Sequence, residues 1–480
     1  MSVVDLKSIL NNQFILSPSN YNKTEINSSK SIPLSNLVKK IDKGIEVGSN
    51  SYIDESEYKF IRTAAFSTNY ISIYEDNNSI LSITPQSYVD MKLKKDDILI
   101  CKDSNVGEVV LLDKDYSNYM FSSGVNRLIL SKDKYYVYAI MKHQKFKEQL
   151  LSFIPKGATL KHAKDNYLKC LIPYSNDKNI VDYVSSIVRI IQNKELKIKE
   201  KSYYLEELIA NEINNNQNDV KFEYKYPSIN SLLNINRLDT GNYTKEFCII
   251  EHKLKNYKNG YFVINKKNIK GGNTPKKRFI DINPNLKYCW ITPTYINDNG
   301  TIDTSYRINC DKNNINENCL LIINRTSKGG FGEYVGISTY YDYDSLGKAQ
   351  HNQGIYKVID KDDKKLLFMS CLLNSKLYRS YCANLSMGSK MKELKLNNIL
   401  SIPFPKFPNE KITLINDIYY NKEKKYNSNK DNFENDNKKW DEKAGIVDLY
   451  VSSRNYRKLL DDVIDKIYQG ETISYEYNII

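Results

Sequence analysis

The chain has 480 residues, of which 41% are hydrophobic, and it carries a net charge of +13 at pH 7. This hydrophobic content excludes a largely disordered chain, and the length allows two or three domains with their own cores. No apolar run reaches the ~18 residues that cross a bilayer, and the N-terminus lacks a signal-peptide pattern, so neither feature is predicted. The positive charge favours a polyanionic partner such as nucleic acid, although abundant Lys, Asn, Ile and Tyr are also typical of an AT-rich genome.

The eight cysteines are scattered without a C-x-x-C pair, and most lie in apolar strings. This usage indicates buried, reduced thiols in a cytoplasmic protein rather than a zinc site. The four histidines are far apart in sequence and indicate neither a metal cluster nor a catalytic triad. We therefore predict no cofactor or metal in this chain.

The first part of the chain alternates short strands, polar loops and a helix. The segment PLSNLVKKIDKG ends at Gly44, and a strand is predicted at residues 58–62. Residues 93–112, LKKDDILICKDSNVGEVVLL, predict strand, loop and strand, with Gly107 in the turn. One helix is predicted after Asp133, and an apolar strand ends at Pro173. This order predicts an α/β block.

Residues 177–213 predict one long helix, because their apolar residues follow an alternating four-three spacing and neither Pro nor Gly interrupts them. At about 1.5 Å per residue, this helix would span roughly 50 Å. Lys194 and Lys201 interrupt the apolar stripe, which indicates an imperfect coiled coil. The stripe needs a partner, and the best candidate is a second helix that begins near Glu410.

The block order then repeats. A segment that ends at Gly260, IIEHKLKNYKNG, is matched with the one that ends at Gly44. Three further pairs of segments share an offset of 230 residues (for example 288 − 58): 58–62 with 288–292, 123–127 with 353–357, and 171–173 with 401–403. Matches in the same order predict a duplicated module with a long helix after each copy.

The predicted organisation has six parts. Residues 421–445 follow the second helix and are polar and of low complexity, which predicts a loop or a frayed helix. The parts are a first α/β domain at 1–176, a central spacer helix at 177–213, a linker at 214–236, a second α/β domain at 237–408, a second spacer helix with a polar loop at 409–440, and a small helical element at 441–480.

Three motifs carry a resemblance to a known family. They are the K-x-D-D-I-L-I-x-K strand and turn that leads to Gly107, the G-x-x-[LM]-K loops at 157–161 and 388–392, and the Ile-Pro strands that precede long helices. In this tandem arrangement the chain resembles the specificity subunit of type I restriction–modification systems. A specificity subunit of a related methylation or phage-defence system has the same features.

The resemblance implies a fold and a function. It implies an α/β, pseudo-twofold tandem repeat of two target-recognition domains separated by two long antiparallel helices. Each domain would read one half of a split site in double-stranded DNA, and the helices would dock methyltransferase subunits, which carry S-adenosylmethionine. A motor-nuclease subunit could join that assembly. The chain itself would be non-catalytic.

Basic and amide side chains in repeat-equivalent loops are the candidate DNA contacts, because phosphate binding needs such groups. The Gly-Gly-Asn-Thr-Pro loop at 271–275 also resembles a loop of the family. The candidates are Lys43, Arg62, Lys102, Asn105, Arg127 and Lys161 in the first block and Lys276, Lys277, Arg278, Arg325, Lys328 and Lys390 in the second.

A metal-dependent nuclease is the alternative function. Cys248 begins an apolar segment, predicted as a strand, that leads to Glu251 and Lys253, and Asp239 lies upstream. Two carboxylates and one lysine at this spacing could hold Mg²⁺ and support an attacking water. No [DN]-P-P-[YF] or G-x-x-x-x-G-K-[ST] motif is present, so neither methyl transfer nor ATP hydrolysis is predicted for this chain.

Overall fold

A computed structural model describes residues 26–28, 30–75, 78–154, 162–235, 240–276, 278–283, 285–310, 315–327, 333–388 and 391–480. The chain divides into two compact units. The first consists of Met1–Ile198, Glu423–Lys443 and Leu449–Ile480, and the second of Lys199–Lys422 and Ala444–Asp448. No helix among the described residues is long and apolar enough to cross a membrane.

The first unit contains ten described strands and the helices around them. The strands are β1 (Ser31–Pro33), β2 (Val38–Lys43), β3 (Tyr52–Ile53), β4 (Lys59–Ile61), β5 (Ile80–Ile83), β6 (Ile98–Cys101), β7 (Val109–Leu111), β8 (Tyr119–Phe121), β9 (Val125–Leu130) and β10 (Leu171–Pro173). The helices are α1 (Lys134–Lys142), α2 (Gln144–Ser152) and the beginning of α3 (Lys178–Asn215).

The first unit is layered, with a central sheet that is covered on both faces. This sheet has the order β2-β9-β6-β7, and a second sheet has the order β3-β5-β4-β8, in which β4 and β8 are parallel. Ile98 and Ile100 pack in one core with α1 and α2, whereas Leu99 and Cys101 pack with Ile61 of the second sheet. Because both faces are covered, β6 reads as an uninterrupted apolar run.

The second unit holds the end of α3 and the following described elements. Its helices are α4 (Ile229–Ile235), α5 (Lys245–Lys255), α6 (Tyr343–Leu346), α7 (Asp363–Asn374), α8 (Lys376–Leu385), α9 (Leu396–Leu400) and α10 (Asn409–Tyr419). Its strands are β11 (Tyr261–Phe262), β12 (Ile269–Gly271), β13 (Ile280–Asp281), β14 (Tyr288–Ile291), β15 (Arg307–Ile308), β16 (Cys319–Ile323), β17 (Arg325–Thr326), β18 (Ser338–Tyr341), β19 (Ala349–His351), β20 (Ile355–Val358), β21 (Lys392–Glu393) and β22 (Phe404–Pro405).

The second unit repeats the topology of the first, which confirms the predicted duplication. Its two four-stranded sheets have the orders β12-β20-β16-β18 and β13-β15-β14-β19, and β14 and β19 are parallel. The strand registers keep the predicted offset, because Phe60 pairs with Met120 in the first unit and Trp290 pairs with Gln350 in the second. Both pairs are shifted by 230 residues (290 − 60 and 350 − 120). The sequence prediction of a tandem α/β repeat is therefore correct.

One predicted match is wrong. The segment that ends at Gly260 is mostly helix α5, so it does not correspond to strand β2. The counterpart of β2 is β12, because each is the edge strand that pairs with β9 or β20. Gly272 therefore corresponds to Gly44. The apolar residues of α5 have helical spacing, but the composition of this segment resembles that of strand β2. This similarity explains the wrong match.

The helix predicted after Asp133 is two helices, and its counterpart in the second unit is divided in the same way. His143 separates α1 from α2 with an extended backbone (φ −71°, ψ 146°), and Ser375 separates α7 from α8 (φ −69°, ψ 151°). Each residue also begins the next helix as its N-cap position. A local change of backbone conformation without Pro or Gly leaves little trace in the pattern of apolar residues.

Helix α3 confirms the predicted long helix, but the partner of its first half is different from the predicted one. The helix from Glu410 is α10, which ends where Tyr420 becomes extended (φ −156°, ψ 110°) and which packs on α7. In the first unit α3 instead packs with α11 (Phe433–Lys443) and α12 (Ile446–Gln469). Helix α11 lies in the stretch predicted as a loop or a frayed helix, and it forms because Phe433 and Trp440 are buried.

The direction of the two C-terminal helices follows from their contacts with α3. Ser186 and Lys194 of α3 contact Glu434 and Asp441, so α11 runs parallel to α3. Arg457 of α12 contacts Glu195, and Tyr183 near the start of α3 contacts the segment after the end of α12. Helix α12 is therefore antiparallel to α3.

Candidate nucleic-acid interface

In the first unit, five chain segments meet at one end of the sheets. Asn105 Nδ2 donates to Thr63 O at 3.0 Å, and Lys102 N donates to Gly124 O at 2.9 Å. Ala163 N donates to Lys102 O at 2.7 Å, which brings in a fourth segment. We call this region the first loop cluster; it comprises residues 43–44, 62–63, 102–105, 122–124 and 162–163.

Two glycines allow this close approach. Gly44 N donates to Val125 O at 3.1 Å, and a Cβ atom at Gly44 would overlap with the carbonyl group of Ser122. A Cβ atom at Gly124 would lie 3.1 Å from Thr63 Cγ2 and 3.4 Å from Asp103 Cβ. The loops can therefore pack against one another only because these positions have no side chain.

The second unit has an equivalent second loop cluster. Gly272 N donates to Ile355 O at 3.2 Å, and a Cβ atom at Gly272 would overlap with the carbonyl group of Asn352. Asn324 N donates to Gly354 O at 2.9 Å, as Lys102 N does in the first unit. The second loop cluster comprises residues 271–272, 292–293, 324–326, 352–354 and 392–394.

The structure brings four of the predicted DNA contacts together in the first loop cluster. Lys43, Arg62 and Asn105 are exposed, and Lys102 is half-buried. Arg62 Nη1 donates to Asn78 O at 3.2 Å, so its guanidinium group keeps free donors for a ligand. Cationic and amide groups on neighbouring loops can bind phosphates and base edges of one duplex.

Arg127 is not part of this group. It lies inside β9, where its guanidinium group pairs with Asp42 at 2.5 Å and with Asp97 at 3.0 Å, and its side chain is 14% exposed. The hydrogen bond from Lys40 and the pairing with Arg127 outweigh burial and lower the pKa of Asp42. Arg127 therefore joins strands β2 and β9 to the turn before β6, and it has few free donors for DNA.

In the second unit, Arg325 lies in the second loop cluster, and Lys276 and Arg278 lie in the loop that follows Gly272. Arg325 Nη2 donates to Glu393 Oε1 at 2.8 Å. The loop after Gly272 contacts the cluster through Thr274, whose hydroxyl group meets the side chain of Gln353. Lys276 and Arg278 are exposed. The predicted residues Lys161, Lys277, Lys328 and Lys390 lie outside the described residues.

Sequence analysis missed four residues of the two clusters. Asp103 and His162 form a contact of 2.6 Å in the first cluster, and Lys392 and Glu393 lie in the second. Phosphate binding predicts cationic and amide groups, so the carboxylates and the histidine were not among the predicted contacts. The match between 157–161 and 388–392 already indicated Lys392 as the counterpart of Lys161.

The alternative nuclease site has no support in the described residues. Glu251 and Lys253 lie in helix α5 rather than after a strand, which places them about 200° apart around the helix axis. Glu251 pairs instead with Lys255 at 2.8 Å, and Lys253 Nζ donates to Asn214 Oδ1 at 2.9 Å. Asp239 lies outside the described residues. No group of metal-ligating side chains that could hold an ion occurs in the described part of the chain.

Residues 263–421, which lie in the second unit, match the model of a family, the type I restriction modification DNA specificity domain. Nothing in the comparisons favours the nuclease.

Several solved structures resemble the chain over nearly its whole length. The S subunit of a type I restriction–modification system from M. genitalium has 14% identity and a TM-score of 0.41, with 94% of this chain and 97% of that chain covered. The HsdS subunit from Thermoanaerobacter tengcongensis has 10% identity and a TM-score of 0.26, with 92% and 97% covered. A chain from a study of complex assembly and conformational transition of the type I R-M system has 10% identity and a TM-score of 0.29, with 93% and 99% covered. Among curated proteins, none is significantly similar in sequence.

Proposed function

We propose that the two units are two target-recognition domains and that each reads one half of a bipartite site in double-stranded DNA through its loop cluster. The supporting observation is the repetition of one cluster, with the same glycine contacts and exposed cationic or amide side chains, in both units. A single binding site would not need a second copy. A protein with two separate readers selects two short sequences separated by a spacer.

The chemistry of binding divides between two kinds of contact. Lys43, Lys102 and Arg62 would neutralise phosphates, which supplies affinity that weakens as salt rises. Asn105 Oδ1 could accept a hydrogen bond from a base amino group, and the Arg325 guanidinium group could pair with guanine in the major groove. Exposed loops at the end of a rigid sheet can adapt to different sequences without a change in the core.

The remaining parts of the proposal concern partners. Methyltransferase subunits would dock on the helices of this chain and supply S-adenosylmethionine, and a motor-nuclease subunit could join them. Helix α3 spans 38 residues and is the longest helix among the described residues, so it offers an extended surface for such docking. DNA is then the ligand of this chain. The position at which the chain holds the methyltransferase on the DNA would determine which base is methylated. We place this assembly in the cytoplasm.

Methylome sequencing of the host tests this function. We expect a two-part methylated motif in the parent strain and its complete loss when the gene is deleted. A strain with the substitutions Lys43→Ala, Arg62→Ala and Lys102→Ala should methylate the same motif less completely. A strain with Lys132→Ala and Lys361→Ala, at the opposite ends of β9 and β20, is the matched control and should be unchanged. An identical methylome with and without the gene would rule the proposal out.

A further inference from the structure

The two loop clusters contain one pair of residues at the same place in the backbone. In the first unit Asp103 and His162 face each other across an antiparallel bridge, and in the second unit Arg325 and Glu393 do so. The flanking hydrogen bonds are equivalent as well, since Ala163 N donates to Lys102 O and Leu394 N donates to Asn324 O, both at 2.7 Å. The two pairs therefore occupy the same position in the two copies.

The charges of the two pairs are arranged in opposite order. The side chain that follows the central strand is a carboxylate in the first unit, where Asp103 Oδ1 lies 2.6 Å from His162 Nδ1. It is a guanidinium group in the second unit, where Arg325 Nη2 lies 2.8 Å from Glu393 Oε1. A pair that only held the loops together would not need opposite polarity in two copies of one module.

All four side chains are accessible to a ligand. The exposed fractions are 28% for Asp103, 55% for His162, 41% for Arg325 and 36% for Glu393. Each pair also adjoins a cluster glycine, because Asp103 Cβ lies 3.4 Å from a Cβ built on Gly124, and Arg325 O lies 3.2 Å from one built on Gly354. The missing side chain at each glycine leaves the pair open on that side.

Asp103 is an unfavourable neighbour for DNA phosphates. It lies among the predicted phosphate contacts Lys43, Arg62 and Lys102, and a carboxylate there would repel the backbone. A carboxylate is useful at a DNA surface when it accepts a hydrogen bond from a base amino group, as Asp and Glu do with cytosine N4. A guanidinium group at the equivalent position suits O6 and N7 of guanine.

We propose that this bridge pair determines base specificity in each half-site, with Asp103 reading an amino group of a base and Arg325 reading guanine. His162 and Glu393 are positioning residues that hold the reading group when DNA is absent and orient it when DNA is bound. This inference rests on the proposed function, because it assigns the bases that the two clusters would read. The two halves of the DNA target would then be read by different chemical groups, a carboxylate in the first unit and a guanidinium group in the second.

The test exchanges the pairs between the two units. The variant Asp103→Arg with His162→Glu gives the first cluster the pair of the second, and Arg325→Asp with Glu393→His does the reverse. Each exchange keeps two side chains that can form a hydrogen bond across the bridge, as the parent pairs do at 2.6 and 2.8 Å. The full-length chain and each variant would select sequences from a duplex library with random positions, and the enrichment of each base would be counted.

We expect each exchange to change the preferred base in one half of the selected motif by about tenfold or more and to leave the other half unchanged. Arg325→Lys should reduce the preference for guanine, because Lys cannot form the two-pronged contact. The matched controls reverse Lys94 with Asp115 and Asp360 with Lys365, which pair at 3.1 and 2.8 Å at the opposite end of the central sheets, and should leave the motif unchanged.

Three results would overturn the inference. Unchanged base preferences in both exchanges, with the parent motif intact, would show that the pairs have a structural role, while the proposed function would stand. An equal loss of base selectivity in both halves of the motif after one exchange would also show that the pairs have a structural role. A parent chain that selects no sequence at all would overturn the proposed function together with this inference, so the two failures are distinguishable.

Discussion

Lys194 Nζ donates to Asp441 Oδ1 at 2.5 Å in the interior of the first unit, and the two side chains are 0% and 5% exposed. The ammonium group also lies 4.4 Å from the centre of the Trp440 ring. In the sequence this lysine interrupts the apolar stripe of α3. In the structure it fixes the register between α3 and α11, because a buried charge has to meet its one complementary partner.

Removal of either member of this pair should destabilise the first unit. Burial lowers the pKa of Lys194 and raises that of Asp441, so each charge depends on the other. Lys194→Met should reduce the free energy of unfolding by about 3–5 kcal/mol, because it leaves a buried carboxylate alone. Asp441→Leu should have a similar effect, and the double variant should recover most of the loss. Urea unfolding in a Trp290→Phe background, followed by Trp440 fluorescence, measures all three.

The neighbouring pair of Lys197 and Glu442 provides the control. These side chains lie 2.9 Å apart and are 22% and 69% exposed, so solvent screens their attraction. Lys197→Met should therefore cost less than about 1 kcal/mol. Equal losses for Lys194→Met and Lys197→Met would show that burial does not decide the strength of the first pair.

The cluster glycines should not tolerate a methyl group. Gly44→Ala and Gly272→Ala would each push against a backbone carbonyl group, of Ser122 and of Asn352. We expect a loss of about 1–3 kcal/mol in the free energy of unfolding for each, which is typical of overpacking. Gly48→Ala is the control, because nothing lies within 4 Å of its added Cβ atom. Comparable values for Gly44→Ala and Gly48→Ala in urea unfolding would contradict this account.

The fold was predictable wherever a pattern repeated. The offset of 230 residues identified the duplication from short matches, and the strand pairs of Phe60 with Met120 and Trp290 with Gln350 keep that offset. The partner of α3 was not predictable in the same way. Contacts such as that of Lys194 with Asp441 join residues 247 positions apart, and no local pattern encodes such a pairing.

The candidate site was predictable in part, because its cations follow strand ends at equivalent places in the repeat. Arg127 illustrates the limit. It was predicted as a DNA contact, but it lies inside a strand of the central sheet, as does Lys357 at the matching position of the second unit. Charge in the sequence does not distinguish a phosphate contact from an internal ion pair such as that of Arg127 with Asp42. That distinction requires the partner, which lies 85 residues away in the chain.

The salt dependence of DNA binding should identify the phosphate contacts. The triple substitution of Lys43, Arg62 and Lys102 by Ala should reduce the slope of log K against log salt by about 3, because each lost phosphate contact contributes about 0.9. Fluorescence anisotropy with a labelled duplex measures this slope. The salt concentration would be varied between about 50 and 200 mM, because the salt dependence of DNA binding is large in this range.

The control for this slope changes the net charge equally at another place. The triple substitution of Lys132, Lys169 and Lys361 by Ala removes three charges outside the clusters. Its slope should remain close to that of the parent, because distant charges are screened beyond about 10 Å. If both triple variants lose the same slope, binding follows net charge and the clusters have no special part in it.

His351 should make the second unit sensitive to acid. It lies at the end of β19 and is 1% exposed, and burial, with a smaller contribution from the charge of Lys357, lowers its pKa to about 4. The unfolded chain would bind a proton near pH 6.5, so the folded state has its full stability above that pH and loses it as the pH falls toward 4. The loss should reach about 3 kcal/mol at pH 4, because each unit of pKa corresponds to about 1.4 kcal/mol.

The first unit supplies the substitution that tests this sensitivity. Phe121 occupies the position of His351 there, since each is the last residue of its parallel strand pair. His351→Phe should flatten the dependence of the unfolding free energy on pH between 7 and 4, whatever its effect at neutral pH. A Trp440→Phe background leaves Trp290 as the only tryptophan, and its fluorescence reports the second unit directly. An unchanged pH dependence in His351→Phe would mean that another group binds the proton on unfolding.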